Sequence, residues 1–459
     1  MSANFSPNRK FGLWRQLWIA LAEAERELGL PVTQVQIKEL KKFRDKINYK
    51  VAEAREKEVR HDVMSHVYAY GKQCPKAKPI IHLGATSCFV TDNSELVQLR
   101  DGMLILQSKL VAVIKALAKF AKLYRSVPTL GFTHYQPAQP TTVGKRACLW
   151  LQEFIMDFKD LQRRIDDLRF RGVKGTTGTQ ASFLELFGGD DKKVRQLDRL
   201  VAQKMGFDST FTITGQTYTR KVDAQICTTL AGIAQSSEKM ATDLRLLQNM
   251  HVIEEPFESK QIGSSAMPYK RNPMRSERIT GLARYAMCSS QNPMLTAATQ
   301  WLERTLDDSS NRRLALAETF LAVDGILLLC INVTRGLVVN RAVNDQVLQR
   351  ELPFMCTETI MMEAVKAGGD RQELHERIRQ HSLEAARIVK EEGGHNDLLD
   401  RLANDPLFEA VKAQIPEIAD PQRLVGRAPK QVDEFLHSEV QPVLRKFRGK
   451  PSVQGKVTV

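Results

Sequence analysis

The amino-acid sequence predicts an all-α protein built around a bundle of very long helices. Apolar side chains recur at helical spacing over long stretches, several of about thirty residues, whereas an ordinary globular helix has about a dozen. Strand signals are scarce, and hydrophobic residues at 42% with charged residues at 26% are typical of a folded globular chain. The long helical stretches are 93–124, 141–170, 216–250, 274–290 and 303–335.

Residues 1–86 predict a first, smaller helical domain. Apolar side chains follow one helical face over 14–28, and Gly29 ends that helix because glycine readily adopts the left-handed backbone conformation. A second helix is expected over 51–70.

Residues 87–339 contain the long helices and predict a central bundle domain, which includes a distinctive loop at 261–273. Helices of this length and apolarity need more partners than one bundle supplies, so we expect the chain to form a homo-oligomer through them. Beyond residue 340 the periodic stretches shorten and glycine pairs return. This change predicts a third, smaller helical domain over 340–459.

Composition argues against several classes of protein. The seven cysteines are scattered and form no Cys-x-x-Cys pair, which is typical of reduced thiols in the cytoplasm. The N-terminus lacks the apolar core of a signal peptide, and the most apolar stretch, 325–333, is about half the length needed to cross a bilayer. No His-Glu-x-x-His motif or tight His/Asp/Glu cluster predicts a metal site. We therefore expect a cytoplasmic protein with no membrane segment, no metal and no other cofactor.

The formal net charge of +14 raises the possibility of nucleic-acid binding. However, the basic residues are interleaved with acidic ones along the predicted helices, and no RNA-binding motif is present. Attraction of a small polyanionic substrate explains the sign of the charge equally well. We expect small anionic partners and no nucleic acid.

The most informative local pattern is the segment 263–273, which reads GSSAMPYKRNP. Gly263 permits backbone angles closed to other residues, while Pro268 and Pro273 fix φ and lack a backbone donor, so the segment is a loop. It can present backbone N–H groups, two hydroxyls and Lys270 to an anion. For an arbitrary loop of this composition, a solvated connection between helices is the more common interpretation.

A second polar loop, GFTHYQPAQP, is expected at 131–140, just ahead of a long helix. A lone histidine is more often structural than catalytic. His134 nevertheless lies beside a hydroxyl in this loop, and imidazole titrates near neutrality, which suits a general acid for a leaving nitrogen.

A third polar block, LERTLDDSSNRR, spans 302–313. Its three arginines offer forked donors for phosphate or carboxylate. Alternatively, its two aspartates begin a helix and pair with the arginines. Both interpretations can hold at once, with the aspartates orienting the arginines.

Together these segments resemble the fumarase/aspartase superfamily, whose members eliminate fumarate from succinyl-bearing substrates. The order Gly-Ser-Ser-x-Met-Pro-x-Lys-x-Asn-Pro matches the superfamily's signature loop, and Thr-His-x-Gln-x-Ala matches a second block. Within the superfamily, the chain is most similar to the adenylosuccinate lyases of the animal type. The resemblance is most specific at 81–87, 171–183, 261–278 and 303–313.

The resemblance implies a three-domain fold and a homotetramer whose subunits share their active sites. It implies cleavage of adenylosuccinate into AMP and fumarate, and of succinyl-aminoimidazole-carboxamide ribotide into aminoimidazole-carboxamide ribotide and fumarate. By the same resemblance Ser264 is the general base and His134 the general acid. The implied substrate-binding residues are Arg60, His61, Asp62, Thr86, Ser87, Gln216, Lys270, Asn272, Arg278, Arg304, Ser309 and Arg313.

Two alternatives remain open. One is an argininosuccinate lyase-like member of the superfamily, which would read differently at 269–278 and 304–309. The other is a non-catalytic structural protein on the same fold. That protein would be expected to have lost Ser264 or His134, and both are present.

Overall fold

Helices make up nearly all of the regular structure in residues 1–449 and 453–455, the part of the chain that the computed structural model describes. The all-α prediction is confirmed. Residues 450–452 and 456–459 of the predicted third domain lie outside the described residues.

The elements follow one another in this order. The helices before the first strand are α1 (Pro7–Glu27), α2 (Gln34–Phe43), α3 (Tyr49–Val59), α4 (Asp62–Gln73) and α5 (Ser87–Leu123). After the hairpin of β1 (Pro128–Thr133) and β2 (Gln136–Thr142) come α6 (Val143–Asp166), α7 (Ala181–Leu186), α8 (Asp191–Lys204) and α9 (Lys221–Asn249). The strand β3 (Ile253–Glu254) precedes α10 (Met274–Ser289), α11 (Gln291–Ala298) and α12 (Asp307–Gly336), and it pairs with β4 (Val338–Val339). The remaining helices are α13 (Arg341–Met355), α14 (Thr357–Lys366), α15 (Arg371–Arg387), α16 (Leu398–Ala403), α17 (Ile415–Ile418), α18 (Pro421–Leu424), α19 (Ala428–Phe435) and α20 (Gln441–Lys446).

The predicted long helices are confirmed to within about six residues at each end. The stretch 93–124 corresponds to α5, which has 37 residues, and 303–335 corresponds to α12, which has 30. The first helix begins earlier than predicted because Ser6 caps it, its Oγ accepting a hydrogen bond from the backbone N–H of Arg9 at 3.2 Å.

The single helix predicted over 51–70 is wrong. The chain breaks between α3 and α4, where Arg60 adopts a left-handed backbone with φ of 56°. His61 then caps α4 through its ring nitrogen Nδ1, which accepts a hydrogen bond from the backbone N–H of Met64 at 3.3 Å. Apolar residues keep helical spacing across the break, so periodicity alone does not reveal it.

The loop predicted at 131–140 is also wrong, because this segment forms the β1–β2 hairpin. The last residue of β1 pairs with the first of β2, which leaves His134 and Tyr135 as a two-residue turn. Both turn residues have positive φ, 52° and 56°, as tight hairpin turns require. The sequence does not indicate a strand at β2 because β2 contains prolines, and proline has no N–H to donate to the hydrogen bonds between strands.

The chain divides into two compact units. Unit 1 comprises Met1–Lys109, Asp157–Gln235 and Gly281–Leu327, and unit 2 comprises Leu110–Met156, Ser236–Thr280 and Leu328–Val459. Unit 1 contains an aromatic-rich core that includes the buried rings of α1, and unit 2 contains a separate apolar core that extends from α13 to α17. The predicted domain boundaries at 86/87 and 339/340 coincide with the start of α5 and the end of β4. They stay a prediction.

One helix among the described residues, α12, is long and apolar enough to span a membrane by length and composition. Its most apolar window has a mean hydropathy of 2.1, and 61% of that window is buried in the fold. This window is longer than the apolar stretch 325–333 noted in the sequence. The core helix of a water-soluble protein has the same length and composition, so α12 alone is weak evidence for a membrane span.

The buried carboxyl of Glu25 in α1 predicts an unusual dependence of stability on pH. Among the described residues neither oxygen has a hydrogen-bond partner, and burial raises the pKa of Glu25 to about 9. In the unfolded chain this carboxyl ionises near its ordinary pKa of 4.5. The stability that the protonated carboxyl contributes is therefore fully present below the ordinary pKa of 4.5 and is lost progressively as pH rises towards 9.

We expect the free energy of unfolding of Glu25→Gln, relative to that of the parent, to increase from pH 5 to pH 8. The increase should be on the order of 1–3 kcal/mol. Urea unfolding at the two pH values and one protein concentration measures this gain. Glu27→Gln, on the exposed end of the same helix, is the control and should show no such gain. Parallel pH profiles for parent and Glu25→Gln would contradict the prediction.

Candidate active site

A cavity of about 980 Å³ opens in unit 1. Its wall is built from the first turn of α1, the α3–α4 break, the start of α5, the chain before α9 and the start of α12. Nine of the twelve predicted substrate-binding residues line it. They are Arg60, His61, Asp62, Thr86, Ser87, Gln216, Arg304, Ser309 and Arg313.

The α3–α4 break places His61 opposite the start of α5. The ring nitrogen Nδ1 accepts a backbone hydrogen bond as the cap of α4, so in the neutral ring Nε2 carries the proton. Nε2 lies 3.4 Å from Ser87 Oγ, which it can hold at the cavity wall.

Gln216 is held between two other parts of the chain. Its backbone N–H donates to the carbonyl of Glu303 at 3.1 Å, and its carbonyl accepts from Nε of the buried Arg171 at 2.8 Å. A Cβ on Gly215 would lie 2.6 Å from the Glu303 carbonyl, so only glycine allows this close approach. The contact brings Gln216 beside Arg304.

The thiol of Cys88 lies between these two side chains. It donates to Gln216 Oε1 at 3.7 Å and accepts from a guanidinium nitrogen of Arg304. Burial raises the pKa of the Cys88 thiol to about 11, so it remains neutral between these two side chains.

At the cavity wall, Arg220 joins α5 to α12. Its terminal nitrogens contact both carboxylate oxygens of Asp92 at 3.2 Å, and its Nε donates to Asp308 Oδ2 at 2.7 Å. Burial alone would raise the pKa of Asp92, but Arg220, followed by the neighbouring arginines, holds it below its ordinary value. Asp92 is therefore ionised and paired.

Arg312 forms a second set of buried bonds beside the first. Its Nε donates to Asp223 Oδ2 at 2.7 Å, a terminal nitrogen donates to the Tyr218 hydroxyl at 2.6 Å, and another lies 2.7 Å from Glu95 Oε2. Burial raises the pKa of Tyr218 well above its ordinary value, so the phenol keeps its proton and donates to Asp223 Oδ1. We call Arg220, Arg312 and their partners the buried arginine network.

Other cations at the cavity are not neutralised in this way. Within the part of the chain that the structure describes, no carboxylate oxygen lies within 4 Å of the charged nitrogens of Arg60, Arg304 or Arg313. Unpaired cations on the cavity wall, beside the paired charges of the buried arginine network, attract an anionic ligand.

The predicted base Ser264 lies in unit 2, in a loop with a closed neck. The amide nitrogen of Asn272 donates to the carbonyl of Gly263 at 2.7 Å, and a Cβ on Gly263 would lie 1.9 Å from the carbonyl of Lys270. Ser264 is half-buried, and its Oγ accepts a hydrogen bond from the backbone N–H of Met267 at 3.2 Å. Lys270 is exposed.

A buried carboxylate anchors the chain that follows the loop. Glu255 accepts from the backbone N–H groups of Arg275 and Ser276 at 3.0 and 2.9 Å, which caps the start of α10. Arg278 lies in the next turn of α10 and is exposed. Lys270, Asn272 and Arg278 are thus the three predicted binding residues that belong to unit 2.

The predicted acid His134 is exposed at the tip of the β1–β2 hairpin, also in unit 2. The base of the hairpin is fixed by Arg146, which donates to the Leu130 carbonyl at 2.6 Å, and by Asn344, which donates to the Pro128 carbonyl at 2.7 Å. In the described chain no hydrogen bond or ion pair joins the His134 ring to Ser264 or to another side chain.

Within the described residues, no group of three or more His, Cys, Asp or Glu side chains is arranged to hold a metal ion. All seven cysteines are free thiols, and Cys288 is exposed.

Two family models match the sequence, one described as lyase over residues 13–288 and one described as adenylosuccinate lyase C-terminus over 353–435. Adenylosuccinate lyase of Schizosaccharomyces pombe is 51% identical over 98% of this chain and 94% of its own length. Adenylosuccinate lyase of Schistosoma mansoni is 49% identical over 100% of this chain and 96% of its own. The chain belongs to the adenylosuccinate lyase family.

Solved structures show the same fold. The 3-carboxy-cis,cis-muconate lactonizing enzyme of Pseudomonas putida has a TM-score of 0.84 at 22% identity and covers 96% of both chains. A fumarate lyase of Mesorhizobium sp. BNC1 has a TM-score of 0.81 at 23% identity, over 95% of this chain and 97% of its own. The predicted superfamily fold and the predicted lyase class of enzyme are confirmed.

For this member of the adenylosuccinate lyase family, sequence reasoning missed the buried arginine network. The idea that the aspartates of block 302–313 orient its own arginines is wrong for Asp308, which bonds to Arg220. One signal was available. Asp92 lies directly before the predicted helix 93–124, and an acid that is buried there requires a cation. Its partner lies 128 residues away and could not be read from spacing.

We expect Asp92→Asn to destabilise the fold by about 3–5 kcal/mol, because it leaves the buried Arg220 without full compensation. Nucleotide binding should weaken as well, since α5 and α12 lose a shared anchor. Thermal unfolding and calorimetric titration with AMP measure the two effects.

The control for this prediction is Asp101→Asn, which removes a carboxylate near the surface of α5 that pairs with Arg9 at 2.6 Å. A surface pair contributes about 0–1 kcal/mol, so this variant should stay close to the parent. Equal effects of the two substitutions would contradict a special role for Asp92.

Proposed function

We propose that this protein cleaves adenylosuccinate into AMP and fumarate, and succinyl-aminoimidazole-carboxamide ribotide into aminoimidazole-carboxamide ribotide and fumarate, in purine nucleotide biosynthesis. The observation that carries the proposal is the unit 1 cavity, where nine side chains expected to bind a nucleotide come together. Its unpaired arginines require negative charge, and both substrates supply a phosphate and carboxylates.

The cavity wall also offers acceptors for a sugar. Thr86 Oγ1 and Asp308 Oδ1 are buried there and have no hydrogen-bond partner among the described residues. A buried polar atom without a partner costs free energy, so ligand hydroxyls that donate to these oxygens would be favoured.

The reaction needs two proton transfers. Ser264 takes a proton from the carbon beside a carboxylate, and His134 gives a proton to the departing nitrogen. A serine hydroxyl is a poor base unless its alkoxide is stabilised, and Lys270 with the backbone N–H groups of the loop is suited to that task. Lys270 and Asn272 would also hold the carboxylate on which carbanion charge accumulates. The Asn272 amide nitrogen has two hydrogens, so it can keep its bond to the Gly263 carbonyl and donate the second hydrogen to a carboxylate.

We also propose a homotetramer whose subunits share active sites. Large apolar side chains are exposed near the α11–α12 connection, among them Leu295 at 67%, Trp301 at 74% and Leu314 at 63%. A second copy of the chain would cover such a surface. The proposed partners are the nucleotide substrates and further copies of this chain, without nucleic acid or membrane. The proposed compartment is the cytoplasm, in keeping with the free thiols.

An ultraviolet assay with purified protein tests the activity. Adenylosuccinate should yield AMP and fumarate, and argininosuccinate should not be turned over. Turnover of argininosuccinate alone would overturn the assignment, and turnover of neither would favour a structural protein.

Ser264→Ala should lower kcat at least about a hundredfold, because a positioned base contributes that much to proton abstraction. AMP binding should stay close to that of the parent, since the hydroxyl is needed for the proton transfer. Ser265→Ala, which removes the adjacent exposed hydroxyl, is the matched control and should retain most of the activity. Near-normal turnover of Ser264→Ala would remove Ser264 from the role of base.

Active-site complementation tests the shared site. His134→Ala and Ser264→Ala subunits are each expected to be inactive. If each site takes the two residues from different subunits, hybrids formed by dissociation and reassembly contain some intact sites. A minor but measurable fraction of activity should return. Without recovery in verified hybrids, both residues would have to come from one chain.

A further inference from the structure

We infer that Lys10 is a further ligand-binding residue of the unit 1 cavity and that, with Ser309 and Arg313, it binds the phosphate of the nucleotide. This inference rests on the proposed function. It adds a cation from α1 to the residues implied by the family resemblance.

The first turn of α1 places Lys10 at the cavity wall. The side chain is half-buried, and Nζ lies 5.0 Å from the ring centre of Trp14 and 5.3 Å from that of Phe11. These contacts hold the ammonium beside the two rings, so less conformational entropy remains to be lost when it binds a ligand.

Three carboxylates face Lys10 from other elements, namely Glu56 of α3, Asp62 of α4 and Glu95 of α5. None of these, nor any other carboxylate of the described chain, lies within 4 Å of Nζ. Glu95 is paired with Arg312 at 2.7 Å, and Asp62 Oδ1 accepts the backbone N–H of Val63 at 2.7 Å. Lys10 therefore brings a positive charge to the cavity without a close counter-charge.

Arg313 of α12 is a second cation, and it repels the ammonium. Burial, with this repulsion as a lesser cause, lowers the pKa of Lys10 below its ordinary value. A dianion bound by both cations would turn the repulsion into attraction to a common partner. The Ser309 hydroxyl lies 3.5 Å from an Arg313 nitrogen and adds a neutral donor.

Two cations and a hydroxyl match the several oxygens of a phosphate. The succinyl carboxylates already have candidate partners in the signature loop, so we assign Lys10 to the other end of the substrate. Arg9, its neighbour in sequence, instead donates to Asp101 Oδ2 at 2.6 Å and does not line the cavity. Arg9 is thus a matched control within the same helical turn.

The experiment compares the parent with Lys10→Met, Lys10→Arg and Arg9→Met. Calorimetric titration with AMP measures phosphate-end affinity without turnover, and inhibition by fumarate measures the carboxylate end. We expect Lys10→Met to raise the Kd for AMP about tenfold or more, as for loss of a hydrogen bond to a charged group. The fumarate inhibition constant should change less than about twofold, within the range of an uninvolved site. Lys10→Arg should retain most of the AMP affinity, and Arg9→Met should match the parent.

Each contrary result has a separate meaning. An unchanged AMP Kd in folded Lys10→Met, with unfolding temperature equal to the parent's, overturns the assignment of Lys10. Weakened fumarate inhibition with unchanged AMP binding also overturns it, because Lys10 would then face a carboxylate. If the parent turns over no adenylosuccinate, the proposed function fails. If the parent is active and Lys10→Met has an unchanged Kd for AMP, only the proposed role of Lys10 fails.

Discussion

The buried arginine network is the constraint on which the unit 1 cavity depends. A guanidinium or carboxylate buried alone is very unfavourable, so the elements that carry these charges are stable only when the charges meet. Asp92 on α5, Arg220 before α9 and Asp308 on α12 meet in this way. Their contact fixes the relative positions of Ser87 and Ser309, each on the same helix as one of these acids.

The paired cations of the cavity stabilise the fold, whereas the unpaired cations are available to a ligand. Arg220 and Arg312 are surrounded by acceptors and cannot offer a ligand much more than they offer their partners. Arg60, Arg304 and Arg313 line the same cavity without carboxylate partners. Arg312 and Arg313 are adjacent in sequence, yet the helix directs them to different surroundings, because neighbouring positions point about 100° apart on a helix.

The residues proposed for proton transfer lie in a turn and in a loop instead of on helices. His134 is at the tip of a two-residue hairpin turn, and Ser264 lies in a loop whose neck is closed by Gly263 and Asn272. In both places well-anchored backbone leads to a short segment without regular structure. Such segments can present a side chain and backbone N–H groups to a substrate while the anchors keep their position.

The sequence by itself determined the long helices and the superfamily, and it predicted as binding residues nine side chains that the tertiary structure brings to one cavity. Helical periodicity reports which face is buried, and short polar motifs keep their residue types and order. The break at Arg60, the β1–β2 hairpin, the partners of Arg220 and the position of Lys10 were decided only in the folded chain. Periodicity does not encode the backbone angle of one residue, and a charge does not reveal its partner 128 residues away. Only packing, which requires each buried charge to find a counter-charge, selects those pairs.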